Sequence, residues 1–169
     1  MLTEEHQRSQ TFSWVSPREV LRHASTLSGL EVMQAVASGE LPPPPIAVLM
    51  QFAPVEVSDG KVVFECTPSE AHYNPIGTVH GGLACTFLDT LVGCAAHTTL
   101  PAGVGYTSLD LMTRFIKPVT TKSGLLRCEG TIISRGRRTA VAESRLFDER
   151  GTLLAQATST CLIFEVPQA

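Results

Sequence analysis

Gly77-Thr-Val-His80-Gly81-Gly82-Leu83-Ala84-Cys85-Thr-Phe87-Leu88-Asp89-Thr-Leu91-Val-Gly93-Cys94-Ala95-Ala96-His97-Thr98 is the stretch on which the fold turns. Leu83, Phe87, Leu91 and Cys94 recur at intervals of three and four, and Ala84, Leu88 and Ala95 widen the apolar face, so the spacing predicts a helix over 77–98. A helix apolar over so wide an arc has to be enclosed by other elements. On both sides of it the period changes to two. Upstream, Ile46–Val57 and Lys61–Thr67 flank Ser58-Asp59-Gly60, a hairpin signal. Downstream, after Pro101-Ala-Gly103, alternating runs cover 104–117, 124–134, 138–148 and 152–165. Gly-containing turns at Thr121–Gly124, Arg135-Gly136-Arg137 and Glu149-Arg-Gly151 separate the last three and favour antiparallel neighbours. One antiparallel β-sheet wrapped around one long central α-helix is the simplest packing, an α+β arrangement.

Ahead of this lies a helical extension. Ser16-Pro-Arg-Glu19 and Ser28-Gly-Leu-Glu31 read as capping boxes, predicting short helices over 17–27 and 29–38. Gly39 and Pro42-Pro43-Pro44-Pro45 stop the second one, because proline lacks the N–H and fixes φ. The chain therefore divides into an extension with a proline connector, 1–45, and a main domain, 46–169.

A length of 169 residues, 43% hydrophobic and only 17% charged, describes one globular domain whose light charge favours oligomerisation. The net charge of −3 supplies no global field for nucleic acid or an anionic membrane, and residues 1–45 set three basic against five acidic side chains. Five cysteines without C-x-x-C spacing argue against a disulfide framework or a zinc site, and fit a reducing cytoplasm. His6, His23, His72, His80 and His97 show no paired ligand spacing, so no metal is expected. The N-terminus, Met1-Leu-Thr-Glu-Glu-His-Gln-Arg8, is polar and acidic rather than secretory, and no stretch reads as a membrane span.

Between Glu70 and Asp110 the only formally charged side chain is Asp89, in the middle of the apolar helix. Burying a lone carboxylate is costly, which marks it for a purpose. Gly82, Cys85, Gly93 and Ala96 share its face and are small, so Asp89 is expected to point into a narrow slot. His80-Gly81-Gly82 starts the helix, where unpaired N–H groups can meet an anion or a developing oxyanion. The absence of Gly-Lys-Ser/Thr and of G-x-G-x-x-G removes nucleotide-loop readings. Eight residues at 1.5 Å each put Gly81 and Asp89 about 12 Å apart along one axis, too far to act on one small group. Two such helices antiparallel across a twofold axis would bring the start of one level with the carboxylate of the other.

His72-x-Asn74-x-x-Gly77-x-x-His80-Gly81-Gly82, then Asp89, then Thr107-Ser108-Leu-Asp110, resembles the hotdog-fold acyl-CoA thioesterases, in particular the phenylacetate-degradation branch, over about 42–164. The resemblance implies a hotdog fold with a short helical N-terminal extension, and hydrolysis of an acyl-coenzyme A thioester without cofactor. It also implies a homodimer assembling to a tetramer. Residue by residue, Gly81 N–H would polarise the thioester carbonyl, and Asp89 of the opposite chain would attack it or deprotonate a water. Asn74 would position water or thioester, Ser108 would hold the water, and His80 would orient the loop. Asn74 and His80 also admit purely local roles, in the turn before Pro75 and beside the helix start. Arg135, Arg137 and Arg138 cluster at one strand turn, and Arg137 and Arg138 are the candidates for the coenzyme A phosphates, although charged hairpin tips are commonly just solvated. Arg114 and Lys117 are weaker candidates. Asp110 reads as structural, and Cys85, without a flanking cation, as lining rather than nucleophile. The competing functions are a hotdog dehydratase or hydratase, which would need a His paired with an acid, and a non-catalytic acyl-CoA-binding protein.

Overall fold

The computed structural model describes residues 7–166; the reading of residues 1–6, His6 among them, lies outside this range. Helices α1 (Pro17–Ala24), α2 (Gly29–Ser38) and α3 (Pro45–Met50) come first, then β1 (Phe52–Ser58) and β2 (Lys61–Cys66). The long helix α4 (Gly81–His97) follows, and then β3 (Val104–Ser108), β4 (Met112–Phe115), β5 (Leu126–Arg135), β6 (Thr139–Phe147) and β7 (Leu153–Glu165). None of the helices among the described residues is long and apolar enough to cross a membrane.

The seven strands form one antiparallel sheet in the order β1-β2-β5-β6-β7, with β3 and β4 both paired to the outer side of β7. Helix α4 lies across its concave face, as the wide apolar arc requires. Phe87, Leu88, Leu91 and Val92 are fully enclosed, each worth about 1.5–3 kcal/mol of burial. The Phe87 ring stacks on Phe52 of β1 at 5.0 Å. Two contacts hold the helix backbone against the sheet. Ser144 of β6, itself buried, donates to the Leu88 carbonyl at 3.0 Å. Gly130 of β5 meets the Leu91 carbonyl so closely that a Cβ there would lie 2.3 Å from the oxygen.

Several local expectations are corrected. Ser28–Glu31 forms the reciprocal capping box, whereas Ser16 makes no capping bond and Glu19 pairs with Arg22 instead. The first helix stops at Ala24 rather than 27. The strand expected from Ile46 begins only at Phe52. Pro44 and Pro45 occupy the N-cap and first helical positions, where their fixed φ suits a helix, and 45–50 coil into α3 until Gln51 turns left-handed at φ 57°. The helix expected from Gly77 starts at Gly81, and the single run 104–117 is two strands with a break at 109–111. The Asp59-Gly60 turn closes β1 and β2 as expected, with Gly60 at φ 71°.

Candidate active site

The segment leading into α4 is stitched to its surroundings before the helix begins. His80 N–H donates to the His72 carbonyl at 2.7 Å and Val79 N–H to the Val119 carbonyl at 3.0 Å. Asn74 organises the turn between them. Its Oδ1 accepts from the Ile76 and Thr78 amides at 3.1 and 3.3 Å, and its Nδ2 donates to Thr78 Oγ1 at 2.9 Å. The turn role open to Asn74 in the sequence is thus fully developed.

His80 caps the helix: its Nδ1 accepts from Gly82 N–H at 2.8 Å, which assigns the proton of the neutral ring to Nε2. Gly81 N–H, one position earlier, donates to no acceptor among the described residues. It is a backbone donor at the positive end of a helix of seventeen residues, the arrangement suited to a developing oxyanion. The position is also closely packed. The Phe115 ring of β4 sits over it, 3.2 Å from where a Cβ would stand.

Asp89 lies two turns further along α4. Ser108, the last residue of β3, donates its hydroxyl to Asp89 Oδ1 at 2.9 Å. Cys85, Thr86, Asp89, Ser108, Leu109, Asp110 and Leu111 line a groove of about 370 Å³, open to the surface. Ser108, expected to hold a water, here bonds the Asp89 carboxylate of its own chain, whereas Gly81 and His80 line no part of this groove. Asp110 faces backbone: its Oδ1 accepts from Thr160 N–H at 3.0 Å and its carbonyl accepts from the Ser159 hydroxyl at 2.7 Å. Cys85 lines the groove with Sγ 3.9 Å from Thr113 Oγ1.

The expected slot of small residues proves to be two different surfaces. Only the stretch around Cys85 and Asp89 faces the groove. Gly93, further along, is covered by Tyr106 of β3, whose ring would come within 2.6 Å of a Cβ, and Ala96 is buried with Ala140 and Cys161. Their smallness admits a strand of the protein itself. Burial pushes the Tyr106 hydroxyl well above its ordinary value and the Cys94 thiol beside it up to about 12, so neither group ionises readily. Tyr106, Leu111 and Phe115 are contributions that helix periodicity alone could not reveal, because they come from the strand edge. Arg135, Arg137 and Arg138 are exposed on the β5–β6 turn, line no part of the groove, and enter no ion pair among the described residues.

An antiparallel sheet wrapped around a central helix defines a hotdog protein. The family model described as Thioesterase superfamily matches residues 76–155, from Ile76 through Asp89 and Ser108 into β7. Over this span the chain is similar to that superfamily. It is 29% identical over 114 residues to human acyl-coenzyme A thioesterase 13, covering 67% of this chain and 80% of the relative. A phenylacetic acid degradation-related protein of Ralstonia eutropha JMP134 superposes with a TM-score of 0.70 at 29% identity, over 77% of this chain and 98% of that one. The same fold recurs at 21% identity in a thioesterase-fold protein of Streptococcus pneumoniae solved with coenzyme A, covering 69% and 91% with a TM-score of 0.62.

Proposed function

We propose that this protein hydrolyses an acyl-coenzyme A thioester to the free carboxylate and coenzyme A. The observation that carries the reading is the pairing on one helix of an unengaged backbone donor, Gly81 N–H, with a carboxylate, Asp89, held by Ser108 in an open groove. These are the two charges that acyl transfer needs. A donor at the helix start stabilises the carbonyl oxygen as it turns anionic, an interaction worth about 3 kcal/mol in the transition state. A carboxylate supplies either the base or the nucleophile. As base, Asp89 takes a proton from water while the water oxygen bonds to the carbonyl carbon, the C–S bond breaks and the thiolate leaves to be protonated. As nucleophile it bonds to the carbon first, and water then hydrolyses the mixed anhydride. Ser108 fixes one carboxylate oxygen in both cases and leaves the other to react. Neither route calls for a metal or redox cofactor.

The two charges are about 12 Å apart along one helix axis, so the reading places them in one site by pairing two chains across a twofold axis. Pairing of dimers into a tetramer is the further step, supported by the exposed apolar edge of Leu109, Met112, Phe115 and Ile116. Five unpaired cysteines support a reducing cytoplasm as the working compartment. His80 holds the loop, Asn74 shapes it, and Arg137 with Arg138 engage coenzyme A phosphates. Release of free thiol from a panel of acyl-coenzyme A thioesters tests the reading; tight binding of every member with no turnover would replace it with an acyl-CoA sensor.

A further inference from the structure

The edge strand changes face in the middle of the site. Tyr106 and Ser108 point at α4, one covering Gly93 and the other bonding Asp89. Unbroken alternation would bring Asp110, Met112 and Arg114 to that face next. Instead Leu111 packs on the core, Thr113 reaches Cys85 and Phe115 covers Gly81. The pairing with β7 shows how. Ser108 stands opposite Cys161 and Met112 opposite Thr158, so three edge residues, 109–111, oppose two, 159 and 160. One residue is inserted, a β-bulge, and everything beyond it is turned over.

A bulge leaves a ladder group without its usual partner, and here Asp110 supplies the replacement. Leu109 N–H still donates to the Thr160 carbonyl at 2.8 Å, but Thr160 N–H donates to Asp110 Oδ1 at 3.0 Å rather than to an edge-strand carbonyl. The Ser159 hydroxyl, almost fully buried, donates to the Asp110 carbonyl at 2.7 Å and locks the same residue from the other side. We infer that Asp110 is a positioning residue of the active site: its carboxylate pins the bulge that aims Ser108 at Asp89.

The inference rests on the thioesterase reading for its kinetic consequence and on the clamp for its structural one, and the two are measured separately. Asp110→Ala should lower kcat about tenfold with KM within about twofold, because the Asp110 carboxylate is engaged by Thr160 N–H and acts on the aim of Ser108. Asp110→Asn keeps an acceptor for Thr160 N–H and should recover to within about threefold of the parent. In a Ser108→Ala background, Asp110→Ala should add less than about twofold, since its route to Asp89 is already cut. Ser159→Ala, which disturbs the clamp more gently, should lower kcat about threefold and keeps the test open should Asp110→Ala fail to fold. Amide exchange at Thr160 should quicken in Asp110→Ala and not in Asp110→Asn. An unchanged kcat in both Asp110→Ala and Ser159→Ala, an equal loss with and without Ser108, or unaltered Thr160 exchange each overturns the inference. An inactive parent instead overturns the thioesterase reading, and an active Asp89→Asn variant removes Asp89 from the chemistry; either leaves Thr160 exchange as the measure of the clamp.

Discussion

Asp89 was conspicuous in the sequence as the one formal charge in a long apolar stretch, and the structure gives it a single side-chain partner, Ser108. Replacing it by Asn keeps shape and removes charge, so kcat should fall by roughly two to four decades. Asp89→Ala should lose as much, while the thermal midpoint stays near the parent's because Asp89 faces an open groove and its loss removes one part-buried hydrogen bond. Retention of activity within a few-fold in either variant removes Asp89 from the chemistry. The arginines of the β5–β6 turn belong to a different step. Arg137→Ala with Arg138→Ala should raise KM for acyl-coenzyme A much more than it lowers kcat, the mark of lost uniform binding, and the difference should shrink at high salt. Equal KM values would return these side chains to solvent. At this scale the candidate residues were legible because chemistry-bearing side chains stand out against apolar neighbours. Asn74 shows the limit, since the same residue type serves a turn, as it does here, or a reacting group.

Helix α4 is held at two points that tolerate no added bulk. Gly130→Ala would drive a methyl into the Leu91 carbonyl, backbone against backbone, and should destabilise the fold by about 2 kcal/mol or more in urea titration. The C-terminal end of the helix carries a pH-dependent contact. His97 packs against Gly29 of α2 and lies 5.5 Å from the Tyr106 ring, and burial pushes its imidazole below the ordinary 6.5. Over the interval between the two values the unfolded chain binds a proton that the folded chain refuses. Stability from this ring is therefore complete above pH 6.5 and lost as pH falls toward the folded-state value. The urea midpoint should drop between pH 7 and pH 5, and His97→Gln should flatten that slope. His72, lowered by burial as well, leaves a residual one. The elements themselves were readable wherever periodicity ran long, as in α4 and β5 to β7. They were misread where a run was short or its phase slipped, as at α3, whose apolar residues look alike in strand and helix, and at the bulge inside 104–117.

Across the whole molecule the two halves of the proposed site lie about 12 Å apart on one helix, and the proposed function brings them into one site by pairing two chains. Asp89→Ala chains lack the carboxylate, and Asn74→Ala chains lack the turn that presents Gly81. Each should be inactive alone, and mixing them should restore a fraction of parental activity because a mixed dimer holds one undamaged site. Sedimentation should find the protein at least dimeric at assay concentrations. A fully active monomer, or no recovery from subunits shown to exchange, rules this assembly out.

Composition and period by themselves determined a central apolar helix, a surrounding antiparallel sheet and the helix-borne Asp89, because burial imposes its spacing on every residue of a long element. Pairing order was decided only by the folded chain. That β3 and β4 share the outer side of β7, that Tyr106 rather than a ligand fills the space over Gly93, and that Ser108 meets Asp89 all follow from contacts between residues distant in sequence. The phase of the edge strand is the clearest instance. One inserted residue turns over every side chain beyond it, and nothing local in 104–117 distinguishes a strand that keeps its face from one that changes it until β7 supplies the opposite register.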